Sequence, residues 1–176
     1  MGSRTVIPFG PQHPVLPEPL QLNITYEDEK VVNVAPAIGY IHRGIEKAGE
    51  LNDYPQNVFL VERVCGICSF MHAMIYCEAL EEIMKVEITP RAKYLRVFYS
   101  EISRAHSHLL WLGLLADAFG FESLFMKYWA IREKVVDLME MTGGHRVILS
   151  ACAIGGIRRD LTPELIRKSE DILLEV

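Results

Sequence analysis

TPRAKYLRVFYSEISRAHSHLLWLGLLADA, residues 89–118, is the stretch from which the fold is read. Leu95, Tyr99, Ile102, His106, Leu109 and Gly113 recur in alternating four- and three-residue steps, the spacing of one helix face. Thr89 suits an N-cap, and Pro90 suits the first helical position, where its missing N–H would have no partner anyway. Downstream, a second helix is expected from Ser123 to about Met141, stopped by Gly143 and Gly144. Gly155 and Gly156 punctuate a loop, and Thr162-Pro163-Glu164 opens a last helix that runs to Val176. Upstream, apolar spacing predicts a helix over Phe70–Met84 and another through Leu60 and Val64, capped by Asn52 or Asp53, with helical spacing from Ile45.

The N-terminal end reads differently. Residues 1–19 hold five of the nine prolines, at 8, 11, 14, 17 and 19, which favour an extended, turn-rich arm. Leu20, Leu22, Ile24 and Tyr26 then alternate with mostly polar residues, Glu27–Lys30 makes a polar turn, and Val31, Val32 and Val34 resume β-branched character. This hairpin is the one sheet signal. The expected fold is mainly α within an α+β class, a helical bundle with a small N-terminal β-hairpin, in a single domain over residues 1–176. The last helix has no stop signal, so the C-terminus reads as a cut through a larger fold.

Half of the residues are hydrophobic and the mean hydropathy is +0.15, which suggests apolar surface covered by other chains or by further sequence, and hence a subunit. The longest apolar run, Leu109–Ala116, ends at Asp117 and is too short for a bilayer span of about 20 residues. Prolines stand where a signal peptide needs an apolar run, so a cytoplasmic compartment is expected. A formal net charge of −5 without a basic stripe speaks against nucleic-acid partners.

Four cysteines in such a chain, two of them in Cys65-Gly66-Ile67-Cys68, point to metal or redox chemistry rather than a disulfide framework. Three residues apart on a helical turn, both sulfurs would project to one side and could clasp a soft ion. Gly66 leaves room close to the backbone, and Arg63 adds charge that would favour a thiolate. His72 falls on the same face if a helix continues. Spacing alone fits a metal site, a redox dithiol or an inert core. A structural zinc would want a second pair, but Cys77 and Cys152 lie 75 residues apart. They are expected to pack as small apolar residues, with Met71, Met74 and Met84 as core fillers and His42, His106, His108 and His145 as satisfied structural histidines.

Arg63-Val64-Cys65-Gly66-Ile67-Cys68 followed by His72 resembles the first metal-binding motif of [NiFe]-hydrogenase large subunits, R-x-C-G-x-C-x-x-x-H. Gly10-Pro11-Gln12-His13-Pro14 and Gly39-Tyr40-Ile41-His42-Arg43-Gly44-Ile45-Glu46-Lys47 resemble signatures shared by energy-converting hydrogenases and the complex I 49 kDa subunit. Ser107-His108-Leu109-Leu110-Trp111-Leu112-Gly113 and Ile154-Gly155-Gly156-Ile157-Arg158-Arg159-Asp160 are similar to further segments of that family. The complex I branch has lost the nickel cysteines, so the pair favours the membrane-associated hydrogenase branch.

That resemblance implies a NiFe centre, its iron carrying diatomic ligands, with Cys65 as a terminal nickel ligand, Cys68 bridging the metals and His72 hydrogen-bonding the bridging sulfur. Glu18 is the candidate first proton carrier, and Arg43 and Arg158 are candidates to face an iron-sulfur cluster in a partner subunit. The implied reaction is reversible H2 cleavage. The implied partners are an iron-sulfur small subunit, membrane-embedded antiporter-like subunits and the remaining C-terminal part of the large subunit. The site would lie on the cytoplasmic side of the cell membrane. A second cysteine pair is needed to complete four thiolates, and nothing after Cys152 supplies it. A complex-I-related reductase of a sulfur compound or quinone with a modified site, and a non-catalytic assembly module, are the other function classes.

Overall fold

The structure, a computed structural model, describes residues 4–14, 16 and 18–176. The chain divides into two compact units, residues 1–44 and 45–176, each described by itself.

In the first unit, β1 (Arg4–Phe9), β2 (Gln21–Glu27) and β3 (Lys30–Ala37) form an antiparallel sheet in the order β1-β2-β3. The expected hairpin is β2–β3. Its two turn residues, Asp28 and Glu29, have φ of 49° and 64°, the left-handed pair that matches the twist of two-residue hairpins. The arm, however, carries a third strand that sequence periodicity did not reveal. β1 pairs along β2 from Arg4↔Glu27 to Phe9↔Leu22. Arg4–Phe9 lacks alternation and contains Pro8, but an edge strand tolerates a residue without an N–H. Gly10, at φ +91°, ends the strand so close to the Leu20 carbonyl that a Cβ would lie 2.0 Å from its oxygen. Pro17 of the expected arm lies outside the described residues.

In the second unit the expected helices appear: α1 (Ile45–Leu51), α2 (Tyr54–Glu62), α3 (Ser69–Met84), α4 (Pro90–Ala118), α5 (Glu122–Gly143) and α6 (Pro163–Leu174). Asp53, Thr89 and Thr162 cap α2, α4 and α6, their side chains accepting from the Gln56, Ala92 and Leu165 N–H groups. Gly144, at φ 86°, closes α5. α4 and α5, joined by three residues, pack as an antiparallel hairpin. No helix among the described residues is long and apolar enough to cross a membrane.

The core gathers Phe70 and Cys77 from α3, Tyr99 and Ile102 from α4, and Val135, Leu138 and Met139 from α5. Full burial of one such aliphatic or aromatic side chain contributes about 1.5–3 kcal/mol. Tyr99 also donates its hydroxyl to the Thr142 carbonyl, 2.9 Å away, linking α4 to the end of α5. Where a glycine-punctuated loop was expected, β4 (Cys152–Ala153) and β5 (Gly156–Ile157) make a second, two-stranded sheet. Strands of two residues are too short to leave a periodic signal. Cys77 and Cys152 pack in the core as expected, their thiols in contact. Met84 does not: it is exposed at the end of α3.

Candidate metal centre

Of the two placements open from sequence, between the helices or within one, Cys65 and Cys68 take the first: they sit in the connection from α2 to α3, with Cys68 as the residue that caps α3. The Cys65 sulfur organises the bend, accepting from the Ile67 N–H at 3.4 Å and the Cys68 N–H at 3.3 Å. Because α3 starts immediately afterwards, His72 lies one turn along it and brings Nε2 within 3.4 Å of the Cys68 sulfur. One ligand atom each from Cys65, Cys68 and His72 thus lies within 4.8 Å of the others, all three half-buried. A Cβ at Gly66 would meet nothing within 4 Å, so the space beside the loop is open.

This donor set fits a soft, thiophilic metal. Two cysteine sulfurs and an imidazole nitrogen converge within 4.8 Å of one another, and open space stands beside them. Burial and the neighbouring Cys65 thiol push Cys68 up to about 11, so two adjacent sulfurs resist joint ionisation unless a cation comes between them. The Arg63 guanidinium donates to the Phe59 carbonyl, 2.6 Å away, and stands 3.7 Å from Glu62.

Arg158 lies beyond β5 in the same unit. Its guanidinium stacks 4.4 Å over the Phe59 ring and donates to the Cys152 carbonyl at 3.2 Å. The hairpin that carries it is tethered by Arg96, which donates to the Ala153 and Gly156 carbonyls and pairs with Glu81 at 2.6 Å. Glu18 and Arg43 belong to the first unit, and both are exposed. Glu18 shares a hollow of about 350 Å³ with Gln12, His13 and Pro14, so the motif residues and the candidate proton carrier are neighbours.

Two buried polar residues stand differently from the sequence reading, which passed over Glu62 and took His106 as satisfied. Glu62, the last residue of α2, is fully buried; Ser150 donates to one carboxylate oxygen at 2.7 Å, and the other has no hydrogen-bond partner among the described residues. Burial raises its carboxyl above the usual range, against the opposing effects of Ser150, Arg63 and Arg158. Its signal was position: an acid at the C-terminal end of a helix, directly before the motif. His106 was expected to be satisfied, yet it is fully buried and its Nδ1 makes no full hydrogen bond among the described residues. By contrast, His145 is satisfied, with Nδ1 accepting from the Val147 and Ile148 N–H groups.

The profile of nickel-dependent hydrogenases matches residues 43–117, which include both cysteines and His72. That of the respiratory-chain NADH dehydrogenase 49 kDa subunit matches residues 118–176. The chain is 44% identical over 155 residues to the membrane-bound hydrogenase subunit alpha of Pyrococcus furiosus, covering 88% of this chain and 36% of that one. It is 43% identical over 159 residues to the carbon monoxide-induced hydrogenase of Rhodospirillum rubrum, covering 90% and 44%. Among solved structures, a chain of an archaeal membrane-bound sulfane sulfur reductase complex superposes with a TM-score of 0.88 at 28% identity, covering 97% of this chain and 46% of that one. The chain therefore spans less than half the length of these relatives. The two profiles thus match in tandem, a nickel-dependent hydrogenase segment over residues 43–117 followed by a segment of the respiratory-chain NADH dehydrogenase 49 kDa subunit over residues 118–176.

Proposed function

We propose that the chain is the N-terminal portion of the nickel-iron catalytic subunit of a membrane-associated hydrogenase, catalysing reversible H2 oxidation and proton reduction. The observation that carries this reading is the convergence of Cys65, Cys68 and His72 ligand atoms within 4.8 Å. Its support is the hydrogenase profile over that segment and the 44% identity to a membrane-bound hydrogenase subunit.

When bound, a nickel-iron centre supplies the redox chemistry of H2 cleavage. Cys65 and Cys68, as thiolates, would hold the metals, and His72 would donate to the Cys68 sulfur and orient it. Glu18 takes up and releases the proton. Arg43 and Arg158 face an iron-sulfur cluster of a small subunit, where positive charge favours the reduced state. The remainder of the large subunit brings the second cysteine pair, and membrane-embedded, antiporter-like subunits anchor the assembly on the cytoplasmic side of the cell membrane.

The likeness to the sulfane sulfur reductase structure favours a second reading, a complex-I-related reductase with a modified site. Metal analysis of the assembled complex separates the two. Nickel bound alongside iron, with the nickel lost in Cys65→Ser, is expected for the hydrogenase. Iron without nickel would overturn it in favour of the reductase.

A further inference from the structure

The six residues that carry both cysteines, 63–68, run between the last residue of α2, Glu62, and the first of α3, Ser69. Both of these end residues are 0% exposed, and both reach the same stretch of chain, the segment that leads from α5 into β4. The Ser150 hydroxyl donates to Glu62 Oε2 at 2.7 Å, and the Ser69 hydroxyl donates to the Val147 carbonyl at 3.1 Å. Two side-chain bonds thus join one segment to either end of the ligating turn.

That segment is itself held. His145 Nδ1 accepts from the Val147 and Ile148 N–H groups at 3.0 and 2.9 Å, which bends the chain just after α5. Leu149 is 1% exposed and sits so close to α5 that a Cβ on Gly143 would lie 2.4 Å from its side chain. Ser150 then takes a φ of 46°, the left-handed region that a non-glycine residue keeps only where its surroundings over-determine it. Within the turn, the Cys65 sulfur accepts from the Ile67 and Cys68 N–H groups, both bonds to a weak acceptor. The firmer fixings of the turn therefore lie at its ends.

We infer that Glu62, Ser69 and Ser150 are positioning residues for the metal centre: segment 145–150 clasps both ends of the cysteine turn, through Ser150 to Glu62 and through Val147 to Ser69, and so keeps Cys65 and Cys68 in ligating shape. The inference rests on the proposed metal centre. Ser69 directly follows Cys68, and Glu62 lies three residues before Cys65, so each bond is placed to hold one ligand. A ligand on a short loop gains its geometry from such outer partners, whose loss weakens metal binding about 10–100-fold.

The test uses the assembled complex, with nickel loss to a chelator, the nickel EPR spectrum and amide exchange over residues 63–68 as readouts. Ser69→Ala/Ser150→Gly opens both bonds and is expected to speed nickel loss about 10–100-fold, to change the spectrum and to speed exchange. Ser150→Gly alone removes one bond while glycine relieves the left-handed backbone. It is expected to speed nickel loss by a smaller factor with no fall in Tm, a combination that a merely structural role would not give. Glu62→Gln keeps the acceptor for Ser150 and is expected to retain nickel as the wild type does, whereas Glu62→Leu is expected to match Ser150→Gly. Wild-type rates, spectra and exchange in the double variant would overturn the inference. If the double variant fails to assemble, wild-type behaviour of Ser150→Gly alone overturns it. Equally fast nickel loss in Glu62→Gln and Glu62→Leu would also overturn it, since charge would then matter and the hydrogen bond would not. A wild-type complex without nickel sinks the underlying hydrogenase reading instead, and exchange over residues 63–68 then decides the clasp.

Discussion

Replacing Arg96 by Met should unfasten the β4–β5 hairpin that carries Arg158. The Arg96 and Glu81 side chains are 3% and 8% exposed, so solvent screens their pairing little. The guanidinium donates to both Glu81 oxygens, at 2.9 and 2.6 Å, and to the Ala153 and Gly156 carbonyls at 2.9 Å each. Glu81 in turn accepts from the Gly155 N–H at 2.7 Å. Burial alone would raise the Glu81 carboxyl, but Arg96 and Gly155 more than offset it and hold it below the usual range. Arg96→Met strands that carboxylate, and breaking a buried pair from one side costs about 3–5 kcal/mol. For a protein of this size that is roughly 6–20 °C in Tm. Thermal and urea unfolding followed by circular dichroism would measure it. The double variant Arg96→Met/Glu81→Leu removes both charges and should recover most of the loss. A loss under about 1 kcal/mol in the single variant, or a double variant less stable than the single one, would refute the reasoning.

Glu62 should act in the opposite direction with pH. Its folded pKa is raised, so its burial costs nothing while both states are protonated, and the cost grows as pH rises past the unfolded value of about 4.5. Glu62→Gln should therefore match wild-type stability in acid and exceed it at neutral pH; parallel stability curves across pH would contradict this. Gly10→Ala should disrupt the β1–β2 sheet, because its φ of +91° and the Leu20 oxygen 2.0 Å from an added Cβ leave no room. Faster amide exchange in residues 4–9 and 21–27 is the expected readout, and wild-type protection there would contradict it.

Much of the helical unit was legible because its signals are local and repeated. The four- and three-residue steps of residues 89–118 and the caps Asp53, Thr89 and Thr162 fall where the helices begin and run. The sheet was legible only where alternation survived. β1 was hidden because pairing with β2 is a long-range fact, and Pro8 is tolerated only by virtue of its edge position. At the site, the motif gave the residues but not their geometry. Spacing left the cysteines between the helices or within one, and what it could not supply is the bend into which Cys65 draws the chain before α3 begins. His106 and Glu62 stayed hidden because what marks them is an unpartnered buried atom, and burial of a polar group depends on packing between elements distant in sequence.

In the proposed centre the Cys65 and Cys68 sulfurs ligate nickel. X-ray absorption at the nickel edge of the assembled complex tests it most directly, comparing wild type with Cys65→Ser and Cys68→Ser. A first shell dominated by sulfur, losing one sulfur in each variant, is the predicted result. A nickel shell of nitrogen and oxygen alone, or one unchanged by both substitutions, would contradict it.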